Sequence, residues 1–175
     1  GGVLAGKKEL VQKVYNYREI NGASLQADPA YMIARGMKTL ELRIERQNVS
    51  ALKIAHYLKA HPKVQDVYYP GLPTHPGHEI AKAQMSGFGG IMSFALVGGY
   101  ENVAKLLTSL QLVHLAASLG SVSTLAGPPR TTSHVELTEA QRKQLGIPES
   151  LIRYSVGIEN VDDLIQDLEN GLAKL

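Results

Sequence analysis

The sequence predicts an α/β chain ending in a small α+β domain, with about four mainly antiparallel strands and helices on one face. Two observations carry that expectation. Beyond residue 62 the element order reads strand, helix, strand, helix, strand, loop, strand, helix. Within it, Leu151–Glu159 alternates cleanly, with Ile152, Tyr154, Val156 and Ile158 on one face and Leu151, Arg153, Ser155 and Gly157 on the other. At 175 residues the chain can bury a real core, and 44% hydrophobic with 19% charged residues is ordinary globular composition.

Taken in order, residues 3–5 read as a short apolar strand closed by Gly6. Residues 7–20 carry Leu10, Val11, Val14, Tyr17 and Ile20 at helical spacing, stopped by Asn21 and Gly22. Asp28 and Pro29 read as N-cap and first helical residue of the next helix. Its pattern runs to His61 and Pro62, with Gly36 the weak point and the predicted domain boundary.

Val64–Tyr69 is the first strand of the following domain. Residues 70–78 hold three Pro and two Gly and must be loop. A short helix over Glu79–Met85 and a glycine turn at Gly87–Gly90 lead to an apolar strand, Ile91–Val97. Glu101–Leu110 is an amphipathic helix and Leu112–Ala116 a strand. Residues 118–134 read as irregular. Thr138 and Gln141 fit a capping box for a helix over Thr138–Leu145. After the strand at Leu151, Asn160 caps a final helix whose stripe is Val161, Leu164, Ile165, Leu168 and Leu172.

Composition excludes several function classes. With no cysteine there is no disulfide, thiolate nucleophile or Cys-based zinc site. The net charge is only +2 and the basic residues are interleaved with acids, so no stripe for nucleic acid forms. No apolar run approaches the roughly 18 residues of a membrane span, and the opening residues do not resemble a signal peptide. A soluble, cytoplasmic protein is expected.

Few residues suggest chemistry. His75 and His78 are close in sequence but have no carboxylate cluster beside them, so no metal site is expected. Gly87–Gly90 precedes a strand rather than a helix, and therefore reads as a turn and not a phosphate cradle. Arg153 is either a solvated charge on a strand or a two-point clamp for a carboxylate, the task a planar guanidinium does best. Ser118-Leu119-Gly120 and Thr131-Thr132-Ser133-His134 are polar loops that could supply donors to an anion, or simply bond their own backbone.

Further motifs carry a specific resemblance. Val67–His78, Gln84 and Gly87–Phe94 are similar to the C-terminal region of the Cys/Met-metabolism family of pyridoxal-phosphate enzymes, which includes cystathionine γ-synthase, cystathionine γ-lyase and methionine γ-lyase. Arg35–Leu40, Ser118–Gly120 and Leu151–Glu159 resemble the same family, in the expected order along essentially the whole chain.

The resemblance implies a fold-type I architecture. Residues 1–36 would be the tail of the large domain, 37–61 a connecting helix and 62–175 the small C-terminal domain. It implies pyridoxal 5'-phosphate as cofactor, bound to a lysine expected upstream of Gly1, since no lysine here has the family's Ser-x-Thr-Lys setting. This chain alone would then hold no catalytic residue and be inactive, and it would depend on the N-terminal PLP-binding part of the same enzyme.

By the same resemblance, Arg153 matches the arginine that binds the substrate α-carboxylate. Ser118, with Leu119 beside it, matches the serine that positions that carboxylate, and Ser133 matches a neighbouring hydroxyl. The implied activity is carbon–sulfur lysis of a sulfur amino acid in a homotetramer, methionine γ-lyase-like, giving a thiol, 2-oxobutanoate and ammonia. Ala117, where cystathionine enzymes typically carry an acid, favours a methionine-type substrate. Cystathionine γ-lyase, cystathionine γ-synthase or an O-substituted homoserine transferase is the alternative within the family, and a non-catalytic assembly or anion-binding module is the alternative outside it.

Overall fold

The computed structural model describes residues 2–175, and its contacts divide the chain between Glu41 and Leu42.

The first unit contains α1 (Lys8–Asn21) and α2 (Ala27–Met37), neither of which buries a residue. Gly22 closes α1 in the left-handed conformation, with φ 67°, as its C-terminal signal predicts. Two expectations fail here. Residues 3–5 form no strand, because no strand among the described residues pairs with them, and Val3 is fully exposed. The cap of α2 is Gln26, not Asp28. Asp28 and Pro29 sit inside the first turn, where an acid suits the dipole and a missing N–H removes no helical bond.

The long helical pattern is also broken, at Lys38–Thr39, before α3 (Leu40–Ala60) begins. Lys38 N–H bonds back to the Arg35 carbonyl, a tightened final turn that ends α2 just beyond Gly36.

The second unit is built on a five-stranded sheet in the order β1-β2-β5-β4-β3. These are β1 (Val64–Tyr68), β2 (Ile91–Leu96), β3 (His114–Leu115), β4 (Leu125–Gly127) and β5 (Leu151–Ser155). All neighbours pair antiparallel except β3 with β4. The helices are α3, α4 (His78–Gln84), α5 (Gly99–Ser109), α6 (Glu139–Gln144) and α7 (Val161–Leu172).

The sheet therefore has one strand more than expected. Residues 125–127 lie in a stretch read as irregular, and three residues running into Pro128 and Pro129 are too few to show a period. Conversely, β3 is only two residues long. The N–H groups of Gln111 and Leu112 donate to the Asp167 carboxylate on α7, so they cannot enter a ladder.

One face of the sheet makes the core. Alternation brings Met92, Phe94, Ile152 and Tyr154 inward, where Ile54 and Leu58 of α3, Val103 and Leu106 of α5, and Leu164 and Leu168 of α7 join the same buried cluster. Each fully buried aliphatic side chain of this kind contributes about 1.5–3 kcal/mol. Alternation along β5 persists through Val156 but fails at Ile158, which is exposed because the chain leaves the sheet after Ser155. Two buried tyrosines border the core. Tyr69 donates to the Gly89 carbonyl at 2.8 Å, and burial pushes its pKa up to about 12. The Tyr154 hydroxyl has no partner among the described residues, and burial, then the charges of Asp167 and Glu159, raise its pKa.

α6 has the capping box read from Thr138 and Gln141, and Asn160 caps α7 by accepting from the Asp162 N–H. The glycine turn before β2 packs on α3: Gly89 N–H donates to Asn48 Oδ1 at 2.7 Å, and a Cβ on Gly87 would fall 2.2 Å from the Asn48 amide nitrogen. No helix among the described residues is long and apolar enough to cross a membrane.

Candidate functional site

Because Ile152 and Tyr154 turn into the core, Arg153 must project from the opposite face of β5. Its direct neighbours there are Ser93 on β2 and Gly127 on β4. Gly127 offers no side chain, and the Ala116 carbonyl and the Thr132 side chain close over the place a Cβ would take. The Arg153 guanidinium donates through Nη2 to the Ser118 carbonyl at 2.9 Å, and the Ala116 carbonyl lies 3.5 Å away. Its Nε is buried and lacks a hydrogen-bond partner among the described residues.

That arrangement is polarised. Two backbone carbonyls occupy Nη2, yet no carboxylate among the described residues pairs with the charge. A buried donor with no acceptor costs about 1–3 kcal/mol. A ligand carboxylate is the acceptor whose geometry relieves it, since its two oxygens match adjacent N–H groups of a guanidinium.

The loop facing this guanidinium, residues 116–124, is tied down at several points. Gly120, at φ 72°, donates its N–H to Ser155 Oγ at 3.0 Å. Gln47 Nε2 on α3 donates to the Ser121 carbonyl at 2.9 Å. Farther on, the Glu159 carboxylate accepts from both the N–H and the hydroxyl of buried Thr124, at 2.6 and 2.8 Å. Thr124 Oγ1 in turn accepts from the Gly157 N–H at 2.9 Å. Ala117, Ser118 and Leu119, just before these anchors, remain exposed.

The structure therefore brings Arg153 to the Ser118 backbone and leaves Ser133 outside that hydrogen-bonded set. Ser133 follows the short 3-10 turn at Pro129–Thr131, is exposed, and shares a 2.8 Å hydrogen bond with His134 Nδ1. Sequence reasoning missed Gln47, Thr124, Ser155 and Glu159. Ser155 was the legible one, standing two residues beyond Arg153 on the same strand face.

A second charged group fixes the lead-in to β5. Glu149 accepts from Arg142 Nε at 2.7 Å and from Arg130 Nη1 at 2.8 Å, and Arg130 stacks 4.3 Å above the Tyr100 ring. The hydrogen bond from Arg142, more than the charge of Arg130, holds the Glu149 carboxyl below the usual range. A separate hollow on the outer sheet face, lined by Asp66, Tyr68, Ala95, Lys143 and Pro148, includes neither Arg153 nor Ser118. His75 and His78 use their Nδ1 atoms on the backbone of Gly77 and Pro70. No group of three or more His, Asp or Glu able to hold a metal occurs among the described residues.

The model of the Cys/Met metabolism PLP-dependent enzyme family matches residues 1–173. The chain belongs to that family. An L-methionine γ-lyase of Fusobacterium nucleatum subsp. polymorphum is 48% identical over all of this chain and 46% of its own length. The chloroplastic cystathionine γ-synthase 1 of Arabidopsis thaliana is 42% identical over 98% of this chain and 30% of its own. Among solved structures, the cystathionine γ-lyase from Lactobacillus plantarum complexed with L-serine superposes with a TM-score of 0.90 at 40% identity, covering 97% of this chain and 44% of that one.

This family member thus spans less than half the length of the relatives it matches. Its fold is that of the family's γ-lyases, and the family's cofactor is pyridoxal 5'-phosphate. The donors around Arg153 are a guanidinium, hydroxyls and backbone groups, with no lysine amine among the hydrogen-bonded residues. They suit a carboxylate and not the cofactor's aldehyde, so no step through the cofactor follows from these residues.

Proposed function

We propose that this chain forms the carboxylate-holding part of a cytoplasmic PLP-dependent carbon–sulfur lyase acting on a sulfur amino acid. In this reading it works with the N-terminal part of the same enzyme, which supplies the cofactor lysine, within a homotetramer. The single observation that supports it is Arg153, whose buried Nε has no acceptor among the described residues while its Nη2 is fixed by the Ser118 carbonyl.

The cofactor, when bound, serves as an electron sink for bonds broken at the substrate Cα. The role given to this chain is orientation. Arg153 grips both carboxylate oxygens and so fixes the carboxylate in place, which arrests rotation about the bond between the substrate nitrogen and Cα and holds one Cα bond in the reactive direction. Ser118 lies beside the guanidinium and contributes its hydroxyl to the same carboxylate, with Leu119 next to it. Ser133 joins them only if its hydroxyl leaves His134.

Ala117, exposed and apolar just before Ser118, favours a thioether side chain without a second ammonium group. The products are then a thiol, 2-oxobutanoate and ammonia. Cystathionine is the competing substrate, and the similarity to a cystathionine γ-synthase keeps it in the test.

The experiment is steady-state kinetics on a full-length protein carrying this sequence, offered L-methionine and L-cystathionine separately. Arg153→Ala is expected to lower kcat/KM for the preferred amino acid by about 100-fold or more, the loss of two charge-assisted hydrogen bonds. An unchanged kcat/KM removes the assignment. Preference for cystathionine overturns the methionine-type reading alone.

A further inference from the structure

Besides the long 3.5 Å contact of Arg153 Nη2 with the Ala116 carbonyl, two hydrogen bonds join β5 to the loop before β4, and neither is a strand ladder bond. Arg153 Nη2 donates to the Ser118 carbonyl, and Ser155 Oγ accepts from the Gly120 N–H. The donors and acceptors are two residues apart on both segments. The loop therefore runs alongside β5 in the same direction, held by side chains where a neighbouring strand would use backbone.

Ser155 is buried, 2% exposed, and flanked by its register partners Ile91 and Leu125. A hydroxyl among aliphatic neighbours carries a desolvation cost, and this one uses its oxygen on a single loop amide. Gly120, at φ 72°, turns the chain directly after Ser118 and Leu119. Anchoring its N–H fixes where the Ser118 carbonyl stands, and that carbonyl sets the rotation of the Arg153 guanidinium. No other side chain among the described residues bonds the backbone between Ser118 and Gly120.

We propose that Ser155 is a positioning residue for carboxylate recognition. It acts through Gly120 and the Ser118 carbonyl to hold the guanidinium with its Nε edge turned to the ligand. The inference rests on the reading of Arg153 given above. Losing the hydroxyl frees the loop, the guanidinium loses its orienting carbonyl, and the ligand must order both on binding.

The test is calorimetric binding to the full-length holoenzyme of two amines that differ only by the carboxylate, L-norleucine and n-pentylamine. In the parent protein L-norleucine is expected to bind more tightly. Ser155→Ala is expected to weaken L-norleucine by about 5–10-fold, the worth of one hydrogen bond, and to leave n-pentylamine unchanged. Ser155→Thr, which keeps the oxygen, is expected to restore most of the difference.

A merely structural role weakens both ligands alike or neither, and either result overturns the proposal. Should the alanine variant fail to fold, Ser155→Cys keeps the volume with a poor acceptor and is read by the same comparison. Arg153→Ala run alongside separates the two ideas. If it leaves the preference for L-norleucine intact, the reading of Arg153 is wrong. If it abolishes that preference while Ser155→Ala does not, only the positioning role is wrong.

Discussion

Arg153 and Gly127 face each other across β5 and β4, and the backbone above Gly127 is the same backbone that the guanidinium reaches. A Cβ on Gly127 would lie 3.1 Å from the Ala116 carbonyl oxygen and 3.2 Å from Thr132 Cγ2. Both contacts are tighter than side chains normally tolerate, though neighbours can yield by a few tenths of an ångström. Gly127→Ala is therefore expected to fold, with a stability loss of about 1–2 kcal/mol from overpacking. Its larger effect should be on amino-acid binding, because the displaced strand carries the loop's start with it. Thermal unfolding together with KM separates the two. A stability loss with unchanged KM would show that the loop does not depend on this contact.

Glu159 and Thr124 hold the far end of the loop. With Glu159→Ala, the Thr124 N–H and hydroxyl, both buried, lose their acceptor, and the expected cost is about 2–3 kcal/mol in denaturant unfolding. Gly157→Ala should be worse. Its Cβ would stand 2.4 Å from the Val122 carbonyl oxygen and 2.6 Å from the Ser123 carbonyl carbon, and backbone cannot swing aside as a side chain can. Wild-type stability in Gly157→Ala would mean that this segment rearranges at little cost.

The group formed by Glu149, Arg142 and Arg130 gives the fold an acid-sensitive joint. Arg142 is buried and Glu149 mostly so, and the carboxyl titrates lower in the folded chain than in the unfolded one. Its stabilising contribution is then complete above the unfolded value, about 4.3, and disappears as pH falls through the lower folded value. Glu149→Gln is expected to destabilise the fold at pH 7, where Arg142 loses its charged partner. Below the folded pKa the variant and the parent should converge. Denaturant unfolding from pH 7 to pH 3 checks this, and a gap that does not narrow on acidification would exclude the linkage.

Much of the fold was legible because its signals are local. The period of α7, the capping box at Thr138 and Gln141 and the apolar run of β2 each declare themselves within a few residues. The alternation of β5 by itself puts Arg153 on the face away from the core. What stayed hidden depends on partners distant in sequence. β4 is a strand only because β3 and β5 lie on either side of it. β3 is cut short by Asp167, more than fifty residues later. The site divides in the same way. Arg153 and Ser118 were visible as residue types in suggestive settings, whereas Gln47 and Glu159 act on a loop that no local pattern connects to them.

The position of β5 has a consequence for how the sheet assembles as the chain is made. It is the last strand in sequence yet the central one in space, with β1 and β2 on one side and β4 and β3 on the other. Until residues 151–155 emerge, the domain can hold only two separate pairs of strands, neither of them stable alone. Closure of the sheet is therefore a late, long-range event, of the kind that makes folding slow. The strand that completes the sheet is also the one that carries Arg153, so a finished sheet and a placed guanidinium arrive in a single step.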